Sequence, residues 1–153
     1  MLKNIYAILL VFTMSVNQLS ANEINWNNRI DVAIEKAKYT QTPILVFVYS
    51  NTCHYCAKAI KDFDDDDLKS ILSDENKITL VAVNVNDTKQ LQKYDLEINM
   101  YPTYFLLSSG GRKISKPLEG YLELSNLKMI LRQTMQWYVG DVAKWYNENS
   151  SKN

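Results

Sequence analysis

The chain is poor in the residues that ligate metals and cross-link small folds. Its 153 residues include two cysteines, Cys53 and Cys56, and a single histidine, His54, which lies between them. A structural zinc takes four ligands, so this set falls short and no metal is expected. Covalent haem attachment needs a histidine directly after the second cysteine; Ala57 stands there, which excludes it. With no further cysteine, Cys53 and Cys56 can bridge only each other. A ring that small removes little entropy from the unfolded chain, so stapling is a poor use for the pair.

Long apolar runs are also missing. The run from Ile5 to Val16 is shorter than the ~20 residues that span a bilayer. With Lys3 before it and the small residues Ser20 and Ala21 at its end, residues 1–21 read as a secretory signal peptide; retention as an uncleaved anchor is the alternative. Asn22, not a cysteine, stands directly after the cut point, which excludes a lipoprotein anchor. There is no surplus of positive charge either. Without residues 1–21, which carry only Lys3, 16 basic residues face 17 acidic ones, a net charge of −1, and nothing recruits nucleic acid. The acidic run from Asp62 to Asp67 lacks the spaced ligands, turn glycine and distal glutamate of a calcium loop. Helix capping by Asp65 to Asp67, with the remainder solvated, accounts for it.

What is present is an alternation of helical and strand patterns. Ile30, Ala33, Ile34 and Ala37 recur at helical spacing, and Pro43 closes that helix. Residues 43–50, PILVFVYS, form a near-continuous apolar run, the pattern of a strand covered on both faces. The cysteines follow directly, and AKAIKDF continues without glycine or proline, so the pair sits where a buried strand hands over to a helix. A short helix, a second buried strand at 78–85 (ITLVAVNV) and a helix from Asp87 to Tyr94 come next. Then MYPTYFLLSSGGRKISKP reads as a strand, a turn at Gly110–Gly111 and a second strand. A last helix carries Leu124, Leu127, Ile130 and Leu131 as its buried stripe, and NENSSKN reads as a disordered tail. The pattern is α/β, with a parallel part and an antiparallel edge.

A redox pair explains the position of the thiols. Unsatisfied N–H groups and the dipole of a helix start favour an anion, here a Cys53 thiolate. Attack on a substrate disulfide gives a mixed disulfide, and a second thiol about one turn deeper resolves it intramolecularly. Cys53 is then the attacker and Cys56 the resolver. His54 has two readings, a cation beside Cys53 or an exposed helix residue of no consequence. Tyr55 is read as a packing residue first.

From about Trp26 to Met135 the chain resembles the thioredoxin superfamily, especially its exported bacterial thioredoxin-like members. The resemblance rests on an ordered set: a buried strand ending in Cys53-x-x-Cys56, the asparagine-bearing strand around Asn84, Tyr101-Pro102-Thr103 entering a strand, and Gly120 before the last helix. It implies a thioredoxin fold, a central mixed sheet of parallel strands plus an antiparallel hairpin flanked by helices, here with an extra C-terminal helix. It implies domains at 22–136 and 137–153, the latter a helical extension and tail. The proline matching Pro102 is cis in that family and faces the dithiol, and the Tyr101 backbone would pair with an extended substrate segment. Tyr55 is similar to the tyrosine before the second cysteine of some exported disulfide isomerases. This chain departs from thioredoxins proper in having Thr52 before the first cysteine, His54-Tyr55 between the two, and Phe47 and Ala82 where they carry a buried aspartate and a lysine.

The expectation is an exported, periplasmic thiol–disulfide oxidoreductase acting on protein thiols and disulfides, without a cofactor, leaning towards a reductant recharged by a membrane electron-donor thiol protein. Membrane contact is expected only through an uncleaved signal. The alternatives are a periplasmic oxidase or isomerase, or a binding module with a vestigial dithiol. Trp137, Tyr138, Trp145 and Tyr146 pack an added helix in one reading and form a partner or membrane-surface patch in the other.

Overall fold

Strand β2, Ile44–Tyr49, is apolar on both faces, and the rest of the chain is arranged to cover it. The structure, a computed structural model, describes residues 23–150, and their side chains as far as Val139. The signal-peptide reading falls outside them. The elements in order are β1 (Trp26–Asn27), α1 (Ile30–Thr40), β2, α2 (His54–Asp62), α3 (Asp66–Leu72), β3 (Thr79–Asn84), α4 (Thr88–Lys93), β4 (Thr103–Leu107), β5 (Leu118–Glu119) and α5 (Leu124–Ser150).

They form one mixed sheet in the order β1-β3-β2-β4-β5. β1, β3 and β2 run parallel; β4 is antiparallel to β2, and β5 to β4. Alternation along β2 divides the core. Ile44, Val46 and Val48 meet Ile30, Ala33, Ile34 and Ala37 of α1 on one face. Leu45 and Phe47 meet Ala59 and Phe63, Leu68 and Leu72 of α3, and Leu127 and Leu131 of α5 on the other. The dithiol helix α2 therefore lies on the second face.

Four details depart from the sequence reading. Trp26 and Asn27 form a parallel edge strand against Leu80 and Val81. The second arm of the hairpin is only Leu118–Glu119, paired with Tyr104 and Thr103, and Lys113 contributes a single bridge to Leu107. The closing helix and its extension are one continuous helix, so the boundary at 136–137 falls inside α5. Its assignment to Ser150 also takes in most of NENSSKN; no proline interrupts it, and the one interior glycine costs only about 1 kcal/mol. The acidic run caps α3 as expected: Asp65 accepts from the Leu68 N–H at 2.9 Å. It is less solvated than expected, because Lys128 of α5 reaches Asp65 and Arg132 reaches Asp67, while Asp62 accepts from the Tyr121 hydroxyl.

Tyr138 extends the buried stripe of α5 and accepts from the Ser109 N–H at 2.8 Å, so it packs. Trp137 is exposed, and the side chains of Trp145 and Tyr146 lie outside the description.

Candidate active site

The chain leaves β2 at Tyr49, turns through Ser50 to Thr52, and enters α2 with Cys53 as N-cap. The backbone of Cys53 is extended, at φ −90° and ψ 116°, which aims its side chain back over the first turn. There Sγ accepts a hydrogen bond from the Cys56 N–H at 3.1 Å, the thiol taking the place of the usual capping oxygen. The cysteine spacing thus lets one residue cap the helix that carries the other.

The two sulfurs sit in different surroundings. Cys53 is half-buried, and its S–H faces the Tyr101 carbonyl at 3.5 Å. Cys56 is 0 % exposed. Burial first, and then its hydrogen bond with Cys53, push the Cys56 thiol up to about 11, against the Ser50 N–H at 3.5 Å, which favours the thiolate. Both thiols are free.

Tyr101 comes from the turn before β4, and its peptide bond to Pro102 is cis. Pro102 is buried and its carbonyl accepts from the Gly120 N–H at 2.8 Å, which ties the turn to the residue after β5. Gly120 has φ +83°, a backbone conformation suited to glycine. Tyr101, at 44 % exposed, stands open beside Cys53. Tyr101, Pro102, Cys53 and Cys56, drawn from two separate stretches, are thereby brought together.

His54 and Tyr55 occupy the outer side of α2. His54 is exposed, with its ring edge-on to Tyr55. Tyr55 is 58 % exposed and stacks on Tyr121 at 6.2 Å; Lys58 lies over the same Tyr121 ring, 4.0 Å from its centroid. Tyr55 therefore packs on the surface and not in the core.

Behind the dithiol, Phe47 is 2 % exposed among Trp26, Tyr49, Phe63 and Tyr104. With Ala82 and Ile60, several of these rings line a cleft of about 730 Å³. The sequence reading passed over Tyr104. It pairs with Phe47 across β2 and β4, is 0 % exposed, and its hydroxyl has no hydrogen-bond partner among the described residues. A signal was available: in TYFLL, Tyr104 shares a strand face with Leu106, so its phenol had to be buried.

Among the described residues no three histidine, cysteine or carboxylate side chains group as metal ligands, and no helix is long and apolar enough to cross a membrane.

Comparison with solved structures returns the same architecture. The chain superimposes on a thioredoxin from Thermus thermophilus with a TM-score of 0.60 at 18% identity, covering 72% of this chain and 87% of that one. A mutant thioredoxin from Halobacterium salinarum NRC-1 gives 0.55 at 12%, with 74% and 92% covered. Trxlp from Edwardsiella tarda EIB202 gives 0.51 at 20%, with 70% and 98% covered. At these identities the likeness is one of fold. No match was found among curated proteins. A family profile described as a thioredoxin-like domain matches residues 30–135, taking in α1 through most of the described α5 side chains and both cysteines, and the chain belongs to the thioredoxin-like family.

Proposed function

We propose that the chain is an exported thiol–disulfide oxidoreductase that works through Cys53 and Cys56 and acts as a reductant. The observation that carries this is the asymmetry of the pair: Cys53 at the helix N-terminus, open to one side and facing the Tyr101 carbonyl, with Cys56 buried behind it. The Cys53 thiolate attacks a substrate disulfide; a Cys53–substrate bond forms and one substrate thiolate leaves. Cys56 then attacks the Cys53 sulfur, releasing the second substrate thiol and closing a Cys53–Cys56 disulfide. The substrate gains two electrons and the chain loses them, to be returned by a membrane electron-donor thiol protein. The open backbone at Tyr101 pairs with an extended substrate segment. Residues 1–21 direct export to the periplasm.

Insulin reduction driven by dithiothreitol tests the activity: the parent protein accelerates it and Cys53→Ser does not. No acceleration by the parent would leave a thioredoxin-fold binding module in its place. Direction is tested by alkylating the thiols in cells, where a mostly reduced pair is expected and a mostly oxidised one would make it an oxidase.

A further inference from the structure

The two halves of the site come from separate stretches, Cys53 from α2 and Tyr101 from the turn before β4, and they meet through a weak S–H hydrogen bond to a carbonyl at 3.5 Å. Tyr121 joins them more firmly. Tyr55, Lys58 and Asp62 lie at i, i+3 and i+7 on one side of α2, next to the buried stripe of Cys56, Ala59 and Phe63. All three reach Tyr121, which is half-buried against the core of that face. Its hydroxyl donates to Asp62 Oδ2 at 2.6 Å, Lys58 Nζ stands 4.0 Å from its ring centroid, and Tyr55 stacks on it with the ring planes 29° apart. One side chain therefore touches α2 from the residue between the cysteines to the last residue of the helix. A phenol on a carboxylate makes a charge-assisted bond, the shorter and stronger kind. That bond is the first cause that raises the Tyr121 phenol above its ordinary value, so it stays a donor at neutral pH. Lys58 is exposed and shared with Glu123 at 3.9 Å, so its charge contributes little.

The other side of Tyr121 is tied to the turn through the backbone. Gly120 N–H donates to the Pro102 carbonyl at 2.8 Å, and Glu119 and Leu118 pair with Thr103 and Tyr104. A Cβ on Gly120 would lie 3.3 Å from Met100 Sδ, so this backbone runs close against the turn. We propose that Tyr121 is a positioning residue that sets the dithiol helix against the Tyr101–Pro102 turn, so that an extended polypeptide paired at Tyr101 presents its disulfide to Cys53. The inference rests on the reading, given above, of Tyr101 as the edge that takes a substrate segment. Such a substrate meets two constraints at once, backbone pairing at Tyr101 and in-line approach of its sulfur to Cys53 Sγ. A drift of α2 by about 1 Å breaks one or the other, and misplacement on that scale costs up to about 100-fold in rate. A small disulfide has only the second constraint and follows the helix wherever it goes. Tyr121 thus favours extended substrates over small ones.

The test is a single covalent step in the full chain carrying Cys56→Ser, in which the product stays on Cys53. Two probes release the same nitrothiobenzoate thiolate: dithiobis(nitrobenzoate), and a short peptide whose one cysteine is joined to nitrothiobenzoate by a disulfide. With each, the Cys53 thiolate bonds to one sulfur, the probe's S–S bond breaks, and the aromatic thiolate leaves with the electron pair. With Tyr121→Phe added, the peptide rate is expected to fall by about threefold to tenfold and the rate with the small disulfide to stay within about twofold. Asp62→Ala, which removes the acceptor, should do the same, and the two together should cost no more than either alone, since both act through one hydrogen bond. Asp62→Asn keeps an acceptor oxygen and should keep most of the peptide rate. A structural role alone would slow both probes together. Equal slowing, or an unchanged ratio of the two rates in both Tyr121→Phe and Asp62→Ala, overturns the proposal. Insulin reduction by the parent is scored separately: its failure alongside a changed ratio removes the oxidoreductase reading alone, and its success alongside an unchanged ratio removes the Tyr121 assignment alone.

Discussion

Phe47 and Ala82 stand directly opposite each other across the parallel pairing of β2 and β3, the two positions where thioredoxins proper carry a buried aspartate and a lysine. Here a ring and a methyl group line an open cleft in their place. Phe47→Asp should therefore speed resolution of the mixed disulfide above neutral pH by roughly tenfold or more, the contribution of a positioned base. It should also cost at least about 3 kcal/mol of stability, from the lost ring and the buried charge. Adding Ala82→Lys should return part of that loss by pairing the charge. Rapid-quench kinetics and denaturant melts read the two effects. A folded Phe47→Asp with an unchanged resolution rate would mean that another group already acts as base.

The two thiols should differ in reactivity. With Cys56 buried and held up at about 11, limiting iodoacetamide at pH 7 should label Cys53 at least about tenfold faster, as read by peptide mass spectrometry of the reduced protein. Faster labelling of Cys56 would reverse the assigned roles. Cys56→Ser should correspondingly hold substrate proteins on Cys53 as mixed disulfides.

Stability should depend on alkaline pH through Cys56. Its folded value, about 11, lies above the ~8.5 of an unfolded thiol, so the folded state favours the protonated form. That stabilisation is complete below about pH 8.5 and is lost as pH rises towards 11. Urea melts should show the reduced parent losing stability across this window relative to Cys56→Ala, in which the group is absent. Parallel curves for the two proteins would contradict the buried environment of Cys56.

The turn at Gly110–Gly111 separates two glycines of different need. Gly111 has φ +84°, and a Cβ there would lie 2.6 Å from Cδ1 of Ile34 in α1; a Cβ on Gly110 meets nothing closer than Ser108 Oγ at 3.8 Å. Gly111→Ala should cost about 1–2 kcal/mol from the left-handed backbone alone, with the clash added. Gly110→Ala should be within about 0.5 kcal/mol of the parent. Thermal melts of the two variants check the contrast.

Much of this protein is decided locally. The continuous apolar run of β2 determines that it is central and covered on both faces, since no exposed strand keeps Val46, Phe47 and Val48 together. The stripes of α1 and α5 follow from 3.6-residue periodicity, the cap of α3 from Asp65, and the placement of the dithiol from a strand that runs into a helix without glycine or proline. Other features needed the tertiary structure. A two-residue strand such as β1 is too short for any period to show, and exists because the edge of β3 offers Trp26 and Asn27 a partner. The second arm of the hairpin shrank to Leu118–Glu119 because pairing depends on register with β4, which turn residues alone do not set. Tyr101 meets Cys53 across 48 residues of chain, and Tyr104 joins the buried cluster of Phe47, Ala59 and Phe63 only once β4 lies against β2 and α2 folds over it. The sequence determined that the two thiols sit one turn apart at a helix start; the packing of that helix across an antiparallel strand pair decided which groups surround them.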